Sequence, residues 1–396
     1  VTTTKAQRDR SPRAAYRALP IGPMLAGAAG MCGPVLAGAL TDHMGAGMLA
    51  ALGAMTSGGS APDASPVTVP APATNRAGPW APISTSISAG IPTVLITTLA
   101  GFAGAALAGH GWGTAVGVTA TALVVSLSCG LSRSAVAAGV RFVTLMVITT
   151  GLGPAVGPPT VAVLYAAGAL WAVAVRAAAA TVVRTRRGRR GTVSAVPGTA
   201  SAEVAAENAT TRPAVPERGK ALRTGLARVT AYARRFRYLR TARSWHYPAR
   251  LTLCLAAAET LATLWGDPKA YWIAVTVVIV VRPRLDGAVR RAAERAAGTA
   301  AGALAGTALL LRPLPFWAFL LVLTGLAGAR PALRTRAPAV YAAVMTPLVM
   351  LLVQADGGQA SPYLLAIRPA DAALGCLIAI GAGYLPWSPR QGSGRK

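Results

Sequence analysis

The residues of this chain that could do chemistry are few, and most stand alone in apolar surroundings. Glu259 lies within the run 251–265 with apolar neighbours on both sides. An ionisable group in such a run is costly and therefore defaults to a functional candidate. A carboxyl that takes up and releases a proton is what proton-coupled movement of a solute requires, whereas the structural alternative is a hydrogen bond or an ion pair with an arginine. Arg368 and Asp371, three residues apart on one helix face, read first as a structural pair and second as a gating pair. Arg141 sits near the basic end of its run and can snorkel there. The dipeptide Asp42-His43 falls at a turn, where a lone histidine reads as interfacial rather than catalytic.

A denser group follows. Tyr271-Trp272 opens a short apolar run that ends at Val281-Arg282-Pro283. The two aromatics suit an interfacial belt at the outer surface of a membrane. Arg282, Arg290, Arg291 and Arg295 come next, either as topology-setting charge or as a funnel that gathers organic anions. Gly298, Gly302 and Gly306 recur at i, i+4 and i+8, which leaves one helix face bare for a close neighbour. No catalytic set is visible. His43, His110 and His246 are scattered, no phosphate-binding glycine loop occurs, and Cys32, Cys129, Cys254 and Cys376 each fall in a different apolar run. Without a Cys pair or Cys/His cluster, neither a metal site, nor a disulfide framework, nor a cofactor is expected, and the chain does not read as an enzyme.

These residues need elements to position them, and composition says which. Of 396 residues 53% are hydrophobic and only 13% charged, with a mean hydropathy of +0.49. The charges are clumped, so long stretches are almost free of them and read as helices in a bilayer, about 20 residues to a crossing. The 43 glycines and 29 prolines suit such helices better than soluble ones. The expected fold is therefore all-α, a polytopic membrane protein. Apolar runs fall at about 19–40, 44–57, 90–109, 112–131, 135–152 and 159–183, then at about 251–265, 270–281, 297–311, 314–329, 337–353 and 364–387. That makes twelve spans as two six-helix halves, 19–183 and 251–387, between a basic N-terminus 1–18 and a tail 388–396. The basic N-terminus, with no clear cleavage site after it, suits a retained first span.

The interval 184–250 reads as a basic cytoplasmic linker, with sixteen Lys or Arg against Glu203, Glu207 and Glu217. Over about 220–243, Leu222, Leu226, Val229, Ala233, Phe236 and Leu239 recur at helical spacing among arginines. This amphipathic helix suits an anionic lipid surface, or packing on the ends of the spans. Residues 58–86, rich in Pro, Ser, Ala and Thr, read as an irregular loop. The net charge of +27 is not read as a nucleic-acid footprint, because the basic residues lie between and beside apolar runs. If the N-terminus is cytoplasmic, the opposite turns carry only Lys269 and Arg312, which places both termini inside. The halves look duplicated. Gly266-Asp267-Pro268 before the short run 270–281 parallels Thr41-Asp42-His43 before the short run 44–57. Ala301–Gly306 parallels Ala103–Gly109. Paired short segments point to a transport site, so the pathway is expected between 44–57 and 270–281.

Taken in order, Tyr271-Trp272, Val281-Arg282-Pro283, Arg291, Arg295, Gly298-Thr299, Gly302, and Arg368 with Asp371 and Gly375 resemble the fusaric acid resistance and aromatic acid exporter superfamily. The resemblance covers about 250–387; the first half keeps the span pattern but lacks these elements. It implies an exporter of small organic acids, aromatic ones above all, in a bacterial cytoplasmic membrane, with a pathway drawn from Glu259, Tyr271, Trp272, Arg282, Arg291, Arg295, Arg368 and Asp371. Proton coupling through Glu259 is the expected energy source. The alternative is a non-transporting scaffold whose basic linker binds anionic lipid or a partner protein. The bilayer and a small organic acid are the expected partners, and the glycine faces leave room for a homo-oligomer.

Overall fold

The computed structural model describes residues 21–56, 81–129, 133–152, 156–191, 241–267, 269–282, 288–312, 314–354 and 362–387. Among them are twelve α-helices: α1 (Ile21–Leu40), α2 (Met44–Thr56), α3 (Ala81–Leu107), α4 (Trp112–Cys129), α5 (Arg133–Thr150), α6 (Pro158–Gly191), α7 (Ala242–Trp265), α8 (Tyr271–Val280), α9 (Ala288–Leu310), α10 (Phe316–Arg336), α11 (Pro338–Gln354) and α12 (Pro362–Gly381). A 3-10 turn, Leu385–Trp387, follows α12. Each helix overlies one of the apolar runs, and the described residues contain no strand. Twelve full crossings are a stronger statement than the structure makes. Five segments are long and apolar enough to cross a membrane: Ile21–Leu40, Gly90–Leu107, Pro158–Val182, Phe316–Arg334 and Pro369–Trp387. At 13 and 10 residues, α2 and α8 rise about 20 and 15 Å, well short of a hydrocarbon core of about 30 Å.

Hydropathy misplaces several helix ends. α3 begins at Ala81, inside the stretch 58–86 expected to be irregular. α6 continues to Gly191 and α7 starts at Ala242, so both edges of the supposed linker 184–250 are helical. Arginine and alanine form helices well, and hydropathy marks only the part of a helix that faces lipid. The amphipathic helix expected at about 220–243 lies almost wholly outside the described residues. Sharp turns set the other ends. Gly266, at φ 68°, closes α7 in the left-handed region and donates its N–H to the Ala262 carbonyl, 3.3 Å away. Asp42, at φ 57°, takes the same region between α1 and α2.

Large apolar side chains lie on the outside of these helices. Ile91, Leu95 and Leu99 are 53–58% exposed at i, i+4 and i+8 along α3. Ile21, Leu25, Leu321 and Leu377 are 65–67% exposed. In water such stripes would drive aggregation; in a bilayer they meet acyl chains, and the helices satisfy their own backbone groups.

The chain divides into two compact units, and neither is a sequence half. The first takes Val1–Thr98, Pro159–Ala179 and Arg290–Ala373; the second takes Leu99–Pro158, Ala180–Val289 and Leu374–Lys396. Within the first unit α1 packs on α2 and α10, and α11 on α10 and α2. Within the second α7 packs on α8 and α4, and α5 on α4 and α8. Adding six to each helix number, counting round after twelve, turns one list into the other. Finer contacts repeat as well. A Cβ added at Gly302 of α9 would lie 2.6 Å from the Ala343 carbonyl oxygen and 3.0 Å from Thr346 Cβ. One added at Gly104 of α3 would lie 2.5 Å from the Met146 oxygen and 2.6 Å from Thr149 Cβ. In both, the helix meets a carbonyl and then a threonine three residues on. Likewise Gly168 of α6 abuts Ala50 of α2, and Gly375 of α12 abuts Ile273 and Thr276 of α8. The two units thus share one pattern of helix contacts.

Candidate functional site

The second unit holds the charged residues that are hardest to explain as scaffolding. Its α7 buries Leu251, Cys254, Leu255, Ala258 and Glu259, the i, i+3, i+4, i+7, i+8 pattern of one helix face. Glu259 is 6% exposed and sits about 10 Å below the Gly266 cap. Its Oε1 is buried without a hydrogen-bond partner, and it forms no ion pair with a described residue. The backbone carbonyl of Glu259 accepts from Thr263 Oγ1 at 2.7 Å, which leaves the carboxyl itself uncommitted.

Arg250 lies on the same helix, nine residues earlier and about 180° round, at the other edge of the buried face. The sequence reading counts it among the linker charges; the structure buries it to 1% exposure. Its Nε donates to the Gly383 carbonyl, and its guanidinium carbon stands 4.7 Å over the Tyr384 ring. Tyr384 donates its hydroxyl hydrogen to the Val280 carbonyl at 2.9 Å, while its oxygen accepts from the Arg282 N–H, also at 2.9 Å. Those two groups mark the C-terminal end of α8, where helix carbonyls lack partners. No local signal reveals this link, because Tyr384 is more than 130 residues from Arg250.

The other expected site residues scatter. Tyr271 and Trp272 are each 8% exposed, so they are core residues of the second unit and not an interfacial belt. The Tyr271 ring fits because Gly151 leaves space where a Cβ would collide with it. The Arg282 side chain is exposed. Arg291, Arg295, Arg368 and Asp371 belong to the first unit. Asp371 is 3% exposed and Arg295 is half-buried. The side chains of Arg291 and Arg368 lie outside the described residues, and the expected Arg368–Asp371 pair with them. Arg290 pairs with Glu294 at 2.8 Å on an exposed surface. That hydrogen bond, and then the carboxylate charge, hold the guanidinium above its ordinary pKa. On α9, Gly298 meets Ala339, Gly302 meets Ala343, and Gly306 meets Pro347 and Met350, so three glycines track α11 in step.

The first unit has a half-buried cation of its own that sequence reasoning missed. Arg330 of α10 donates from Nη2 to the Met55 carbonyl at 2.6 Å and from Nη1 to Met31 Sδ at 2.9 Å. It closes the C-terminal end of the short helix α2, the favourable place for positive charge on a helix dipole. A cavity of about 520 Å³ lies by the α1–α2 turn, lined by Leu36, Ala39, Leu40, Asp42, Met44 and Phe316. Among the described residues, no cluster of His, Cys, Asp and Glu could hold a metal ion.

Helices this apolar, closed on one another with their greasy faces outward, define a multi-pass α-helical membrane protein. Within that class, residues 255–382 match the model of the fusaric acid resistance protein-like family, of transporter or resistance type. No curated protein and no solved structure shows a significant match to the chain. The matched stretch includes Glu259 and the whole of α8 to α12.

Proposed function

We propose that this chain exports small organic acids, aromatic ones foremost, across a bacterial cytoplasmic membrane, driven by the proton gradient, with Glu259 as the coupling carboxyl. The observation that carries the reading is the uncommitted Glu259 carboxyl, buried in apolar packing in the stretch that matches the family. A buried carboxyl with no cation beside it exchanges protons at little structural cost, and charging it favours a conformation that readmits water. The charge asymmetry between alternate turns supports cytoplasmic termini, so the exposed Arg282 stands where cytoplasmic anions arrive.

The test is uptake of a fluorescent aromatic acid into inverted membrane vesicles carrying the chain, with and without an imposed proton gradient. Gradient-dependent uptake is expected, and Glu259→Gln, which keeps the shape and removes the titration, should abolish the dependence. Coupling that survives Glu259→Gln unchanged removes the carboxyl assignment. No uptake of any acid in a broad panel, with insertion confirmed, would favour the scaffold.

A further inference from the structure

We infer that Arg250, with the aromatic side chains around it, is the docking place for the carboxylate of the exported acid. The inference rests on the export reading and adds a binding group on the opposite edge of α7 from Glu259. A guanidinium stays charged under all ordinary conditions. Arg250 is 1% exposed, forms no ion pair with a described carboxylate, and keeps Nη2 buried without an acceptor. The Gly383 carbonyl and the Tyr384 ring that it does meet supply only dipole and quadrupole. A buried cation without an anion is expensive, and a carboxylate that enters beside it recovers the cost by a charge-assisted hydrogen bond.

The surroundings select the rest of the ligand. One turn before Arg250 on the same face, His246 is exposed and meets the half-buried Trp387 edge-to-face, with centroids 5.2 Å apart. Trp387 lies three residues beyond Tyr384. Aromatic rings thus stand both beside the cation and one turn before it, at the exposed His246, which suits a flat ring bearing one acidic group. The Tyr384 hydroxyl, held between Val280 and Arg282, ties this place to the end of α8. The duplicate has no such group. The register that sets Asp42 against Asp267 puts Leu25 where α7 has Arg250, and Pro34 where it has Glu259. The matching positions of α1 therefore do not repeat this arrangement.

Equilibrium binding to the full chain in lipid nanodiscs tests this, with benzoate and its neutral isostere benzamide as probes. Unaltered protein should bind benzoate at least about tenfold more tightly than benzamide. Arg250→Gln should weaken benzoate about 10- to 100-fold and leave benzamide where it was. Tyr384→Leu should weaken both. Equal affinity for the two probes, or no benzoate binding, overturns the inference on unaltered protein, whatever Arg250→Gln does to folding. So does a folded Arg250→Gln variant that binds benzoate normally; vesicle uptake that persists in that variant leaves the export reading standing. Benzoate bound through Arg250 but never moved would keep the site and remove export.

Discussion

Replacing Gly302 or Gly104 by alanine should weaken the protein equally, since each glycine makes the same contact in its own unit. Attractive carbon contacts settle at about 3.5–4.0 Å. The added methyl would stand 2.6 Å from an oxygen and 3.0 Å from a Cβ at Gly302, and 2.5 and 2.6 Å at Gly104. The shortfall is about 0.5–1 Å against backbone, which cannot swing aside, so α11 or α5 must move. Overpacking of this size costs about 1–3 kcal/mol, partly offset by the higher helix propensity of alanine, about 1 kcal/mol. Gly325 isolates the steric part, because a Cβ there meets nothing within 4 Å. Relative to Gly325→Ala, both variants should therefore lose about 1–3 kcal/mol, or several degrees in melting temperature. The melt can be followed in detergent with a thiol-reactive dye, since the thiols of Cys32, Cys254 and Cys376 are buried until the packing opens. If Gly104→Ala and Gly302→Ala melt together with Gly325→Ala, the close approach is wrong. If only one falls, the two contacts are not equivalent.

Three further outcomes follow from the hydrogen bonds at helix ends and on the surface. Tyr384→Phe keeps the ring under Arg250 but strands the Val280 carbonyl and the Arg282 N–H, so the same melt should show a loss of about 1–3 kcal/mol. Arg330→Met removes the donor to the Met55 carbonyl and should cost a similar amount, about 1–3 kcal/mol, with Met55→Leu causing less because the acceptor is backbone. Glu294→Gln cuts an exposed i, i+4 pair and should leave the melting temperature unchanged within error; a clear drop would mean that the pair is not merely superficial.

The helices were legible because each overlies an apolar run, and the turns because Asp42 and Gly266 punctuate them. The helix ends were not. Arg184 to Arg190 continue α6, and Trp245, His246 and Tyr247 begin α7, because backbone hydrogen bonding does not stop where hydropathy does. Burial of Glu259 follows from its neighbours along the chain. Burial of Tyr271 and Trp272 does not, because α8 is covered nearly all round and a run without an exposed face has no period to read. Arg250 hid among linker arginines, since its partners Gly383 and Tyr384 are distant in sequence. The compact units were invisible for the same reason: contiguity along the chain suggested 19–183 and 251–387, whereas packing pairs α1 with α10 and α4 with α7.

That pairing governs the order in which the protein can be assembled as it leaves the ribosome. The first six helices enter the bilayer holding only fragments of either unit. The ring of α4, α5, α7 and α8 can close once α8 has been made, but α1 and α2 must wait for α10 and α11. Until then the face of α1 that meets α10, at Met24, Gly27 and Ala28, stays bare to lipid or to whatever helper holds nascent helices in the membrane. Two half-chains cut in the linker would each be an orphan, and expressed together they could complement one another only by trading helices.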